Sequence, residues 1–373
     1  MKILEEGTTV PTWFEFFEFE KDPYEKLDPY KIEFERLIWD RPDLKEAKEH
    51  LDNFIEDALN KKRVGLKIFG PAASGKTWLT RIVQKELMQK LSRREEKMLF
   101  LYTKVPRIEP TFQIVYRLAI EYFLNNYFGE LANFVKESNR TWEDVVNDPE
   151  LATCFRHYSS EALKQKALAR KWLIGEKLTA SELGNLEITY LIDSDYERYE
   201  MLRKLIEKLT MTGPFATCIL VIDELENAPV KLAGQLSDCL RDMLDSFSEK
   251  FGLIASFTAE KVDEWYDLGY TEYLGRRFDY TVQLDSLKKE AVAEFLRLHH
   301  GVYRKKDAKI DDHLLPFTEE SAIKLLELMP LEYHYPGYFL PNCRDIARLA
   351  FEKGKKQIDA KFVEDHFQKV TFK

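Results

Sequence analysis

Gly70-Pro71-Ala72-Ala73-Ser74-Gly75-Lys76-Thr77 fits the pattern G-x-x-x-x-G-K-[ST]. Residues of these types at this spacing can bind a polyphosphate. Gly70 and Gly75 let the backbone curl so that successive N–H groups point into one concavity. A helix starting at the end of the loop adds positive potential at the same spot. Lys76 can reach the β- and γ-phosphates of a nucleoside triphosphate, and Thr77 can offer its hydroxyl to Mg²⁺. Trp78, the next residue, is counted with the cofactor-binding stretch.

A second constellation lies far downstream. The apolar run Ala216 to Ile222 ends in Asp223-Glu224. An aspartate at the end of a buried strand can hold the water shell of Mg²⁺, and the glutamate after it can orient or deprotonate an attacking water. An acidic turn after a buried strand is the competing reading, and the upstream glycine loop weighs against it. Farther on, Gly252 to Phe257 is followed by Thr258, a polar group placed to sit beside a γ-phosphate. Leu274-Gly275-Arg276-Arg277-Phe278 brings an arginine pair just before a last strand, Tyr280 to Leu284.

The elements that must position these residues are legible from periodicity. Val64, Leu66, Ile68 and Phe69 read as a short buried strand running into the loop. Trp78 to Leu91, with Leu79, Ile82, Val83 and Leu87 at helical spacing, reads as a helix running out of it. Pro42 to Lys62 reads as an amphipathic helix before the first strand. Lys97 to Val105 reads as a second strand, ended by Pro106 and Pro110, and Thr111 to Tyr127 as a helix. The stretch up to Gly213 is too long for a simple connection and reads as a helical insertion. Leu232 to Phe247 and then Lys288 to His300, Thr318 to Leu328, Asn342 to Lys353 and Ala360 to Val370 read as helices. Asp22-Pro23 and Asp28-Pro29 are turn signals. Trp13 to Phe19, rich in aromatics, reads as an arm folded on its own domain, with an extended arm packing on a neighbouring surface as the alternative. His299-His300, without a third ligand nearby, reads as a pair of helix-surface residues.

Composition narrows the class. The chain has 373 residues, 45% of them apolar, enough for a large α/β domain and a smaller one. No apolar run approaches the ~20 residues that span a bilayer. Met1 to Val10 is acidic and lacks a signal-like apolar stretch, so a cytoplasmic protein without a membrane partner is expected. Cys154, Cys218, Cys239 and Cys343 are scattered, which argues against zinc and against a disulfide framework. The net charge of −9 means that any DNA contact needs a local basic patch. Lys61-Lys62-Arg63, Arg93-Arg94 and Arg304-Lys305-Lys306 are the candidates, each interleaved with acids.

Strand, glycine loop, acid-ended strand, polar strand end, arginine pair and helical lid come in one order, and over residues 40–370 that order resembles the AAA+ ATPases. Within them it looks like the archaeal origin-recognition initiator group. Pro341-Asn342-Cys343-Arg344-Asp345-Ile346 is similar to that group's sensor-2 motif. The resemblance implies an α/β AAA+ P-loop core, a parallel sheet flanked by helices, with a helical insertion at about 107–213 and a C-terminal helical lid. The domains would be an arm, 1–40, a nucleotide-binding domain, 41–287, and a lid, 288–373. ATP and Mg²⁺ would be the cofactors, with Thr77 and Asp223 at the metal. Glu224 would be the catalytic carboxylate and Thr258 sensor 1, with Ser256 as runner-up. Arg277 would be the arginine finger, with Arg276 next, and Arg344 sensor 2. The initiators carry a winged-helix domain after the lid. This chain ends about one helix beyond it, so origin binding by that route is not expected.

Lys171-Trp172-Leu173-Ile174-Gly175-Glu176 precedes Leu183-Gly184, Ile192-Asp193 and Ile222-Asp223-Glu224-Leu225-Glu226. This order is similar to the ATP-binding D component of bacteriophage-exclusion (BREX) systems. Simple core packing is the alternative for the Trp172 stretch. Two functional classes follow. One is an ATP-hydrolysing homo-oligomer that acts on DNA or on partner proteins of a defence or DNA-processing system. The other is a nucleotide-dependent switch or scaffold with negligible turnover.

Overall fold

The structure is a computed structural model, and it describes residues 3–4, 8–9, 11–25, 29–107 and 112–369. Met1, Asp28, Pro110, Thr111 and Val370, which carried a turn signal or the end of an expected segment, lie outside the described residues. By contacts the chain forms two units. One gathers Met1–Lys48, Pro71–Ile82 and Leu284–Lys373, and the other Glu49–Gly70 and Val83–Gln283.

The second unit is built on a parallel sheet of β1 (Val64–Gly70), β2 (Lys97–Lys104), β3 (Phe215–Asp223), β4 (Phe251–Thr258) and β5 (Tyr280–Gln283), in the order β2-β3-β4-β1-β5. Parallel strands covered on both faces read as unbroken apolar runs. Accordingly, every residue of β1 is buried, as is nearly every one of β3 and β4. Register then decides which side chains meet. Gly70 lies opposite Thr258 and Ile68 opposite Ser256, while Lys104 lies opposite Asp223. The C-terminal ends of these four strands therefore share one edge.

Between β2 and β3 the chain is helical, as its length predicts. Phe112–Asn126 carries Phe112, Val115, Tyr116, Ala119, Ile120 and Phe123 at i, i+3, i+4 spacing and buries that stripe. The Trp172 stretch is packing. Trp172 is buried at the end of Leu163–Leu173, and its indole N–H donates to the Tyr190 carbonyl at 2.8 Å. Gly175 follows at φ +71°, where a Cβ would stand 3.2 Å from the Ile192 carbonyl oxygen.

The first unit has its own core. Lys289–Gly301, Glu319–Leu328, Pro336–Glu352 and Ala360–His366 pack around Leu296, Phe317, Leu325, Phe339, Ile346 and Val363. The arm joins this core through Phe17, Phe19 and Tyr24. Two expectations are corrected here. His299 and His300 are not surface residues: both are buried among the arm's aromatics. The His299 Nε2–H donates to the Pro23 carbonyl at 2.6 Å, and the Tyr24 hydroxyl donates to His300 Nε2 at 2.6 Å. The helix expected from Asn342 starts at Pro336 instead. Pro336 fits the first helical turn, where its missing N–H has no partner to lose. Pro341 inside the helix removes the bond to the Gly337 carbonyl.

Cys154, Cys218 and Cys343 are buried, Cys239 is half-buried, and all four are free thiols. Among the described residues no helix is long and apolar enough to cross a membrane.

Candidate functional site

In the sheet unit, the ends of β3 and β4 bring four of the expected residues together. Asp223 is buried at the last position of β3. Three donors hold its carboxylate: the Ser256 hydroxyl, the Tyr102 hydroxyl at 2.9 Å and the Glu224 N–H at 3.0 Å. Glu224 itself sits at φ +58°, a left-handed turn that ends the strand and throws the next residues sideways. Its two oxygens are both engaged. Lys104 Nζ lies 2.6 Å from Oε1, and the Asn227 amide donates to Oε2 at 2.8 Å.

Thr258, the expected sensor 1, donates its hydroxyl to Glu226 Oε1 at 2.5 Å. Glu226 Oε2 is buried without a partner. The turn carrying it, Leu225–Asn227, is pinned by the Tyr270 hydroxyl, which donates to the Leu225 carbonyl at 2.8 Å. Burial of Tyr270 pushes its hydroxyl well above the usual tyrosine range, so it stays a donor. Each hydroxyl at the end of β4 thus clamps one acid from β3 or the turn after it. Gly70, in register with Thr258, is the residue from which the glycine loop departs.

The loop itself and the elements that cradle it lie in the other unit. Ala73 at φ +62° and Gly75 at φ +99° give the backbone the left-handed turns that make an anion-binding concavity. The helix Lys76–Ser92 begins where the loop closes. Lys76 is buried, and its ammonium donates to the Pro71 carbonyl at 2.9 Å. The Ser74 hydroxyl is buried and has no partner. Thr77 and Trp78 are half-buried, and the Thr77 carbonyl accepts from the Thr80 hydroxyl at 2.8 Å. The N-terminus of the helix Pro336–Glu352 touches this loop: the Gly337 N–H donates to the Ala73 carbonyl at 3.0 Å. No side chain fits there, since a Cβ on Gly337 would stand 2.7 Å from the Cβ of Ala73. Arg41 reaches the loop's other end. Its Nη2 would lie 4.0 Å from a Cβ on Gly75, and its guanidinium lies over the Phe295 ring at 5.3 Å. Asp43 accepts from its Nε at 3.0 Å.

This donor set fits a nucleoside triphosphate with Mg²⁺. The loop offers curled backbone, a buried ammonium and a buried hydroxyl in search of a partner. The Thr77 hydroxyl, in the loop's own unit, is a hard oxygen donor of the kind Mg²⁺ takes. Among the described residues no group of three or more His, Cys, Asp or Glu could hold a metal ion.

The three arginines are placed differently from the carboxylates. Arg277 Nε lies 2.6 Å from Asp245 Oδ1, with both side chains about half exposed, and Arg276 pairs with Glu272. Arg277 precedes β5, the edge strand of the sheet. Arg344 stands on Pro336–Glu352 and pairs with Asp22 of the arm. Of the basic clusters, Lys61 and Lys62 pair with Glu96 and Asp57, and Arg94 donates to the Leu59 carbonyl. Arg304 cannot serve a surface patch. It is buried against the Phe19 ring and donates to the carbonyls of Phe17 and Leu315, and burial lowers its pKa to about 10.

Lys104 and Asn227 in the sheet unit, and Gly337, Arg41 and Asp22 in the other, touch expected residues and were not singled out by spacing. Lys104 had a signal, since the last residue of β2 must lie beside the last residue of a parallel β3. Gly337, Arg41 and Asp22 had none, because Ala73, Gly75 and Arg344, which they meet, are distant in the chain.

No protein-family profile matches the chain, and no curated protein matches it in sequence. Solved structures do match in fold. The Aeropyrum pernix ORC2 protein, solved as ADPNP-ADP complexes, superposes with a TM-score of 0.54 at 9% identity, covering 93% of this chain and 71% of that one. Cdc6p from Pyrobaculum aerophilum gives 0.51 at 12% identity, covering 94% and 71%. The A. pernix ORC1 protein, solved in complex with DNA, gives 0.50 at 16% identity, covering 91% and 69%. At these identities the likeness is one of fold. The fold is α/β, a five-stranded parallel sheet flanked by helices, and it matches the AAA+ fold of the origin-recognition and Cdc6 proteins.

Proposed function

We propose that this chain is an AAA+ ATPase that binds ATP with Mg²⁺ and hydrolyses it. The observation that carries the reading is the strand edge. Thr258 lies opposite Gly70, where the G-x-x-x-x-G-K-T loop departs, and Ser256, two residues before it on the same strand, holds Asp223.

Each residue has a role in that reading. The loop N–H groups and Lys76 bind and orient the β- and γ-phosphates. Thr77 and Asp223 hold Mg²⁺, which when bound supplies charge to neutralise the phosphate oxygens. Ser256 and Tyr102 fix the Asp223 carboxylate so that its oxygens keep one orientation. Glu224 accepts the proton of the attacking water. Thr258 orients the γ-phosphate end of the site, and Arg344 contacts it from the lid. Arg277, at the sheet edge, reaches the nucleotide of a neighbouring copy. The assembly is thus a homo-oligomer, and DNA or a DNA-bound protein is its client. Participation in phage exclusion rests only on the ordered likeness of Lys171 to Glu176, Leu183-Gly184, Ile192-Asp193 and Ile222 to Glu226, and infection assays on a deletion strain test it.

One observation favours the second reading, a switch with negligible turnover: Lys104 and Asn227 occupy both oxygens of Glu224. Steady-state ATPase measured with and without duplex DNA separates the two. Turnover that needs Lys76 and Glu224 supports the enzyme. Tight ATP binding without turnover under either condition supports the switch. A Lys76→Ala variant with unchanged ATP affinity would overturn both.

A further inference from the structure

The arm is fastened to the lid by three successive residues. Asp22 pairs through Oδ2 with Arg344 Nη2. The Pro23 carbonyl accepts from His299 and the Tyr24 hydroxyl donates to His300. The Asp22 side chain is only 10% exposed, so its charge is largely withdrawn from water. Arg344 is incompletely used by this pair, because its Nε is buried with no partner. The same helix carries Gly337, whose N–H meets the glycine loop at Ala73. Gly337 and Arg344 are seven residues apart, so they share nearly one helix face, about 10 Å apart along the axis. The arm also grips the loop's helix. Arg81 donates through Nε to the Pro29 carbonyl at 3.2 Å and lies over the Phe34 ring at 4.3 Å. Asp22, Pro23 and Tyr24 thus hold the lid, through Arg344, His299 and His300, while Pro29 and Phe34 hold the helix that follows the glycine loop.

We infer that Asp22 is a positioning residue for Arg344: its carboxylate occupies the guanidinium in place of the terminal phosphate of a nucleoside triphosphate. The inference rests on the reading of the glycine loop as an ATP site and of Arg344 as its lid arginine. A carboxylate and a phosphate oxygen present the same acceptor to the guanidinium fork. A diphosphate lacks the group that competes, so Asp22 discriminates between the two nucleotides. Linkage makes the effect reciprocal. Whatever factor the triphosphate takes from the Asp22–Arg344 pair, the pair takes from triphosphate affinity. The strap is held in place when ADP is bound and loosened when ATP is bound.

Asp22→Asn is the discriminating variant. The amide keeps an oxygen for the Tyr24 N–H, which donates to Asp22 Oδ1 at 2.9 Å, and loses only the charge. Affinities for ATPγS and ADP are measured on the full chain with fluorescent nucleotide analogues as displacement probes. Asp22→Asn is expected to tighten ATPγS about threefold to tenfold, with ADP within about twofold of wild type. Asp22→Glu, restoring the charge, should return the ratio towards wild type. In an Arg344→Ala background, Asp22→Asn should change neither affinity. A second readout is proteolysis: trypsin should cut the arm after Lys21 faster with ATPγS than with ADP. Unchanged or weaker ATPγS binding by Asp22→Asn would overturn the inference, as would the same gain in the Arg344→Ala background. A wild-type chain that binds neither nucleotide would overturn the ATP-site reading itself. A chain that binds both, with an Arg344-dependent preference indifferent to Asp22, would overturn the role of Asp22 alone.

Discussion

Lys104 Nζ stands 2.6 Å from Glu224 Oε1, joining the last residue of β2 to the residue just past the end of β3. Strand register produces this pair. Lys104 lies opposite Asp223, and the left-handed turn at Glu224 swings the next carboxylate back toward β2. The lysine side chain is 54% exposed, so the pair is worth about 0–1 kcal/mol. It can restrain Glu224 without locking it. Lys104→Met should therefore raise steady-state ATP turnover by no more than about fivefold, and only when Glu224 is present. A drop to background in Lys104→Met would show that the lysine takes part in hydrolysis.

Glu224→Gln should bind ATP as wild type does and hydrolyse it at least about a hundredfold more slowly, because the amide keeps the shape and loses the base. It should also trap any ATP-dependent assembly, seen as a larger species by light scattering. Wild-type turnover in this variant would assign the water to another group, with Glu226 the next carboxylate after it in the chain.

Gly337→Ala places a methyl group 2.7 Å from the Cβ of Ala73 and 2.9 Å from its carbonyl oxygen. One contact is a Cβ, which has no rotamer to change, and the other a backbone oxygen, so neither side can turn away. The lid helix must shift off the glycine loop, at a cost of about 1–3 kcal/mol. The expected outcome is a lower melting temperature together with weaker ATP binding. Wild-type values for both would mean that the helix end has room to move.

The buried histidines predict an acid-sensitive lid core. Burial lowers the pKa of His299 to about 4, and burial lowers that of His300 well below its usual value. In the unfolded chain both titrate near 6.5. Between these values the unfolded chain binds more protons, so stability rises with pH there and is lost as pH falls. The stabilisation is complete above about pH 6.5 and drains between pH 6.5 and 4, with His299 alone accounting for about 3 kcal/mol. Chemical denaturation across this range should show the slope. His299→Phe should remove about one proton's worth of it, and an unchanged slope would place the titration elsewhere.

Arg277 is proposed to act across an interface between copies. It sits at the edge of the sheet and spends its charge on Asp245, an exposed pair worth at most about 1 kcal/mol, so a neighbour's phosphate could take it over. Arg277→Ala and Lys76→Ala should each be nearly inactive alone and recover part of the ATPase when mixed. A wild-type rate per chain that is independent of concentration, with no recovery on mixing, would count against both the finger and the oligomer.

The glycine loop, the acid-ended strand and the alternation of strands and helices were legible in the sequence because each is local. A loop that must curl needs glycine at fixed spacing. A strand buried on both faces must be apolar throughout, and a helix on a sheet must repeat its apolar stripe. That is why β1, β3, β4 and the helix Lys76–Ser92 lie where the pattern places them, within a residue or two. What the sequence could not determine is which polar groups meet across the fold. Thr258 reads as a free group beside a phosphate, and strand register hands it to Glu226. His299 and His300 read as surface because no third ligand lies near them in the sequence, and only the docked arm, some 276 residues away in the chain, makes them core. Arg344 reads as a lid arginine, and the same arm gives it Asp22. Hydrogen bonds and ion pairs act over a few ångströms and carry no trace of sequence separation, so these pairings were decided by tertiary structure alone.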